Sequence, residues 1–363
     1  MNPASMYATY LADSELTAVC SDDRLVAHMV TFERALARVQ GRLGVIPAAD
    51  AEAIGRYLTD LTISPASLAA GTLQHGVPIL PLLAQLRAAL PASARSYLHW
   101  GATSQDVMDT ATVLQCQEVI GLLTERLRQL IGQLTNLIDR YGAVPMMGRT
   151  RMQQAQPITV GQKLSSWREP LIRHQERLAQ LTPRLLVVQL GGAVGNNAAL
   201  GDAAEAVARA LASELKLGYA RPWHTERDSL AEYGSWLALL TGSLGKLGQD
   251  VLLLGQTEVG ELIENKEGGG KSSAMPHKNN PVLSEALVVL ARQTAQLAAT
   301  QLQSLVQGSE RDATAWMLEW ENLPRLQVCA GTALAHALRI TATLTVDSAA
   351  MAANLKRPDE PAG

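Results

Sequence analysis

A chain of 363 residues, 47% hydrophobic and 18% charged, can bury a large core and is expected to fold as two or more domains. Its net charge of −3 supplies no field for nucleic acid or an acidic membrane surface, so an anionic ligand must be held by locally placed cations. Three scattered cysteines, Cys20, Cys116 and Cys329, fit reduced thiols in a cytoplasm, each as a small core residue. No apolar run reads as a membrane span, and the first residues lack a basic flank and apolar stretch. None of the seven histidines forms an HExxH-like pair, so no metal site is legible.

In chain order, apolar residues recur at spacings of three and four over 25–43, 106–141, 158–181, 203–217, 229–263, 282–306 and 326–344. Glycine and proline cluster between these stretches, at 44–47, 142–148, 191–201 and 268–281. With aromatic content of only 4%, the core is expected to be Leu/Ala/Val helix packing, which makes the fold all-α. The stretch "LLVVQLGGAVG" (185–195) contains no GxGxxG and reads as a glycine-rich turn between helices, not a dinucleotide loop.

Polar motifs precede three of the helical stretches. In "HWGATSQDVMDTA" (99–111), Thr103 and Asp106 match a capping box. The neighbouring Ser104 and Gln105 crowd donors beside the unpaired N–H groups of a helix start, a ready carboxylate site. In "GRTRMQQAQPITVGQK" (148–163), Pro157 suits the first turn of a helix; its arginines and glutamines, taken alone, read as solvated surface. The third motif, "EGGGKSSAMPHKNNP" (267–281), resembles a phosphate-binding loop only superficially. A P-loop needs a glycine where Asn265 stands and a strand upstream, whereas 252–263 has helical periodicity. Asn280 and Pro281 are expected to cap and start the following helix. The glycines ahead predict a loop that moves over a ligand, carrying Ser272, Ser273, His277, Lys278 and Asn280.

The stretch 106–141, 36 residues, makes a rod of about 54 Å if continuous, with Gly121 and Gly132 as places for a bend. The first and second motifs then lie near opposite ends of one subunit. If they form one site, different subunits must supply them.

"KSSAMPHKNNP" resembles the GSSxMPxKxNP signature of the fumarase/aspartase superfamily. "GATSQDVMDTA" and "GRTRMQQAQPI" resemble its first and second conserved regions, and the likeness runs from about residue 1 to about residue 345. "HWGATSQDVMDT", "QLGGAVG" and "ERDATAWMLEW" (310–320) are most similar to its bacterial branch that lactonises 3-carboxy-cis,cis-muconate. The resemblance implies an all-α homotetramer whose central domains form a twenty-helix core, with each active site shared by three subunits. It divides the chain into an N-terminal helical domain (1–98), a central long-helix domain (99–345) and a short tail (346–363) in place of most of the C-terminal domain.

The same resemblance assigns Ser272 as the catalytic serine, aided by Lys278, and gives Lys278 and Asn280 a grip on a substrate carboxylate. Thr103 and Ser104 match its anion-binding residues, Gln153 a glutamine of the second region, and Arg227, Arg311, His99 and His75 further positions near the site. Two departures stand out: Arg151 replaces the second-region histidine, and Lys271 stands where the signature has glycine. Both are expected to hold the extra anion of a 3-substituted muconate, carboxylate or sulfonate. A carboxylate that adds to an alkene needs no acid to protonate a leaving group. The lost histidine therefore favours a cycloisomerase over an adenylosuccinate-lyase-like β-elimination, and the retained Ser272, Lys278 and Asn280 argue against a catalytically silent structural member. No cofactor is implied.

Overall fold

The computed structural model describes residues 6–264, 270–275 and 278–355. Six helices come first, all but α3 short: α1 (Ala8–Leu11), α2 (Ser14–Val19), α3 (Asp22–Arg42), α4 (Ala48–Tyr57), α5 (Ala69–His75) and α6 (Ile79–Ala89). The rest of the chain runs α7 (Ser104–Tyr141), β1 (Pro145–Thr150), β2 (Gln153–Thr159), α8 (Val160–Leu185), α9 (Ala204–Leu215), α10 (Asp228–Leu254), β3 (Leu262–Ile263), α11 (Val282–Gln303), α12 (Ala313–Thr343), β4 (Thr345–Val346) and α13 (Ser348–Leu355). The all-α expectation holds, apart from two small two-stranded sheets.

The long helices form because leucines fall on one stripe. Along α7, Cys116, Val119, Leu123, Leu127, Leu130 and Leu134 are fully buried, and they join leucines of α8, α10, α11 and α12 in one core. Gly121 and Gly132 sit on exposed turns and do not break α7, which at 38 residues is about 57 Å long. A second core joins α3 to α6, the first turns of α7, α9 and Trp316. Cys116 and Cys329 are buried core residues, and all three cysteines are free.

Several boundaries differ from expectation. Residues 228–254 are long and apolar enough to cross a bilayer by composition, although their apolar residues form no unbroken run. In the fold, Leu237, Leu240, Leu244 and Val251 of this helix are fully buried against the rest of the bundle. α10 also stops at Gly255, so the helical pattern expected to reach residue 263 ends in a turn and a short strand. α12 starts before residue 326, because Asp312 Oδ1 accepts the N–H groups of Thr314 (2.8 Å) and Ala315 (3.4 Å) and the helix then passes through Pro324. Proline removes one ladder N–H but does not end a helix held on both sides by packing.

The second motif is corrected most. It forms a hairpin, not a helix start: Thr150 pairs with Gln153, and Pro157 lies in β2 opposite Met147. The two turn residues, Arg151 (φ +49°) and Met152 (φ +67°), are both left-handed, as a two-residue primed turn demands. Such turns normally announce themselves as Asn-Gly, and Arg-Met gives no such signal. Helix α8 begins at Val160, where Thr159 Oγ1 accepts the Gln162 N–H (3.1 Å).

Candidate active site

The start of α7 is one end of the molecule. Residues 186–227 return to this end after α8: Thr110 exchanges hydrogen bonds with Gln189, and Trp223 Nε1 donates to Val188 O (3.0 Å). The capping box at Thr103 and Asp106 is present, with the Thr103 N–H donating to Asp106 Oδ2 (2.9 Å). Asp106 does far more than cap. Its fully buried carboxylate also accepts the N–H groups of Gly191 (2.8 Å) and Gly192 (3.0 Å) and meets His224 Nε2 at 2.8 Å. Gly192 has φ +67°, which turns its carbonyl and that of Ala193 toward Arg311 Nη2 at 3.4 and 2.8 Å. Thr103, Ser104 and Arg311 are thus half-buried around one carboxylate anchor.

His99 lies at this end too, in a left-handed conformation (φ +67°), with Nδ1 2.6 Å from Glu33 Oε1. Burial opposes its charge, but the Glu33 carboxylate outweighs burial and raises the imidazole pKa. Arg227, which the resemblance places among the substrate-binding positions, is held by protein partners in this fold. It is 2% exposed, with Nη1 on Asp109 Oδ2 (2.7 Å), Nη2 on Asp109 Oδ1 (3.0 Å) and Nε on Glu319 Oε1 (3.1 Å). A further contact from Nη2 to Glu319 Oε2 and one from Nη1 to His224 O (3.5 Å) complete its donor set. Burial works against this cation, yet the two carboxylates hold its pKa above the usual arginine value, while burial pushes Glu319 up. Trp316 donates to Asp109 Oδ1 (2.9 Å) and stands edge-on to Trp320, four residues on along the same helix.

The other end of α7 carries the hairpin and the serine loop. Arg149 is bound through both terminal nitrogens to the buried Glu261 carboxylate (2.8 and 2.7 Å), which also accepts Asn354 Nδ2 (2.8 Å). That bond ties the hairpin to β3 and α13 and leaves Arg151 and Gln153 exposed at its tip. Just past β3, Ser272 Oγ accepts N–H groups from Ala274 (3.3 Å) and Met275 (3.2 Å). Lys271 forms a bridge with Asn279, and both Lys271 and Lys278 are exposed. Asn280 does not cap α11. Its backbone N–H and its Nδ2 both donate to Gly270 O (2.9 and 2.8 Å), while Glu264 accepts the N–H groups of Leu283 (2.9 Å) and Ser284 (2.8 Å). A carboxylate at a helix N-terminus satisfies two orphan donors at once, which an amide carbonyl does less well. The expected loop movement, and His277 that the loop was expected to carry, bear on residues 265–269 and 276–277, which lie outside the described residues.

The candidate residues therefore fall into two sets about 57 Å apart along α7. Thr103, Ser104, His99 and Arg311 form one, and Arg151, Gln153, Lys271, Ser272, Lys278 and Asn280 the other. Sequence reasoning missed Asp106 as a hub, and it missed His224 and Glu264 altogether. Glu264 lies three residues outside the third motif, and nothing local in the sequence marks it.

Residues 19–295 match the lyase family. The chain belongs to it, and so to the fumarase/aspartase superfamily. It is 42% identical to the 3-carboxy-cis,cis-muconate cycloisomerase of Pseudomonas aeruginosa over 96% of this chain and 77% of that one. It is 38% identical to trans-aconitate decarboxylase 1 of Mycosarcoma maydis over 94% and 70% of the two chains. Among solved structures, the 3-carboxy-cis,cis-muconate lactonizing enzyme of Pseudomonas putida superposes with a TM-score of 0.92 at 38% identity, covering 97% of this chain and 79% of that one.

Proposed function

We propose that this protein is a cytoplasmic cycloisomerase that lactonises a 3-substituted cis,cis-muconate, working as a homotetramer whose active sites combine both ends of α7 from different subunits. The observation that carries the chemistry is Ser272, whose Oγ already faces two backbone N–H donors. Those donors favour the alkoxide over the hydroxyl and so let a weak acid release its proton. One terminal carboxylate of the substrate adds through oxygen to the substituted carbon of the distant double bond. The displaced π pair moves toward the other terminal carboxylate as an aci-carboxylate. Ser272 then gives its proton to the carbon between them, and solvent reprotonates the alkoxide. The N-terminal N–H groups of α7 with Thr103 and Ser104, together with Arg311, hold carboxylates at one wall; Lys278 serves the serine wall.

No leaving group departs in this reaction, which is consistent with an always-charged arginine at position 151. Loss of diene absorbance from 3-carboxy-cis,cis-muconate, with lactone as the product, tests the reading. Trans-aconitate, adenylosuccinate and fumarate run in parallel test the other chemistries of the superfamily. Turnover of one of those with none of the muconate would replace the reading, and an inert protein on all of them would mark a structural member.

A further inference from the structure

Ser272 lies in sequence between Glu264 and Val282, and Glu264 ties these two points of the fold together. Glu264 is 4% exposed, and its carboxylate accepts the Leu283 N–H (2.9 Å), the Ser284 N–H (2.8 Å) and the Ser284 hydroxyl (2.6 Å). Its backbone carbonyl accepts Asn279 Nδ2 (3.0 Å) from the returning strand. A second tie lies just above it, where Gly270 O accepts both the N–H and the Nδ2 of Asn280. The two strands approach so closely that a Cβ on Gly270, itself at φ +61°, would fall 1.9 Å from Asn280 O. A third tie comes from outside the loop: the Tyr10 hydroxyl donates to Val282 O.

We propose that Glu264 is the positioning residue of the serine loop. Its buried carboxylate shuts the neck of the loop and so fixes Ser272 against the start of α11, and Asn280 closes the same neck instead of gripping a substrate carboxylate. The inference rests on Ser272 as the proton donor. Glu264 touches no reacting atom. A charged acceptor facing three donors cannot be replaced by glutamine, whose NH₂ would oppose at least one of them. Widening the neck displaces the serine without removing it, and a displacement of about 1 Å at a reacting group costs on the order of a hundredfold in rate.

The test uses the full-length protein and four variants: Glu264→Gln, Ser284→Ala, Asn280→Ala and Lys278→Met. Four quantities are read: kcat and KM on 3-carboxymuconate, the Kd of the unreactive tricarballylate, and amide exchange at Leu283 and Ser284. Glu264→Gln should lower kcat about ten- to a hundredfold while KM and Kd stay within about twofold, at unchanged oligomer mass and with faster exchange at both amides. Ser284→Ala removes one donor and should move kcat the same way by a smaller factor, which keeps the test alive if the first variant folds poorly. Asn280→Ala should follow the kcat pattern, and Lys278→Met should instead weaken tricarballylate. Normal kcat in Glu264→Gln despite faster exchange would overturn the positioning role. A tenfold weaker Kd in Asn280→Ala would return that residue to substrate binding. If the wild-type protein cyclises no muconate, the functional reading fails by itself; exchange at Leu283 and Ser284 still decides whether Glu264 shuts the neck.

Discussion

Mixing two dead variants should restore activity, and the amount follows from the geometry. Thr103 stands at the first turn of α7, whereas Ser272 belongs to the far end, about 57 Å away along an unbroken helix of 38 residues. No bend at Gly121 or Gly132 brings them together, so a site holding both takes them from different chains. Thr103→Val spoils one wall of every site it enters, and Ser272→Ala spoils the other. In randomly mixed oligomers at equal amounts, a site draws an intact first wall with a chance of about one half, and an intact serine wall with the same independent chance. About a quarter of the sites should then be intact. The assay is muconate turnover after co-expression, or after mixing under conditions that exchange subunits, compared with each variant alone. Mixed samples that stay as inactive as their parents, despite mass spectrometry showing mixed oligomers, would refute the shared site. So would a fully active monomer in light scattering.

Arg227→Met should destabilise the protein by about 3–5 kcal/mol, because Asp109 and Glu319 would remain buried without their cation; chemical denaturation at fixed concentration checks this, and a raised KM at normal stability would return Arg227 to the substrate. Arg151→Leu should lower kcat/KM on 3-carboxymuconate or 3-sulfomuconate roughly ten- to a hundredfold more than on unsubstituted muconate, the scale of one lost charge-assisted contact; equal losses would make it a general or structural cation. The raised pKa of His99 means that its pair with Glu33 adds stability fully below about pH 6.5, and that this is lost as pH rises through the folded value. The stability gap between wild type and His99→Gln should therefore be wider at pH 5.5 than at pH 9, and a gap that does not change with pH would contradict the pairing.

The helical bundle was legible because its helices are long and their leucines periodic. Periodicity survives in α7 even through two glycines, since both face outward and neither interrupts the buried stripe. What failed were features decided by tertiary contacts. The hairpin at residues 145–159 carries no turn dipeptide, and its Arg-Met corner holds two left-handed residues at about 1 kcal/mol or more each. The bond between Arg149 and buried Glu261 is one contact that anchors such a corner, and residues 112 apart in sequence give no local sign of it. Asn280 was read as a cap because Asn-Pro is a good local cap; Glu264, from 20 residues upstream of Ser284, takes the place with a full charge.

The same distinction explains why the residues around the candidate site turned out to differ in kind. Asp106, Arg227 and Glu264 are all buried, and each has its hydrogen-bonding groups committed to protein partners. Arg151, Lys271 and Lys278 are exposed, and no ion pair engages them among the described residues. Gln153 is likewise exposed, and Ser104 is half-buried. A substrate can compete only for groups that the fold has not already satisfied, because breaking a buried charged pair costs several kcal/mol before any binding begins. By that criterion the exposed cations are left open to a ligand and the buried groups shape the fold around them, and in the second motif the two kinds stand two residues apart, at paired Arg149 and exposed Arg151.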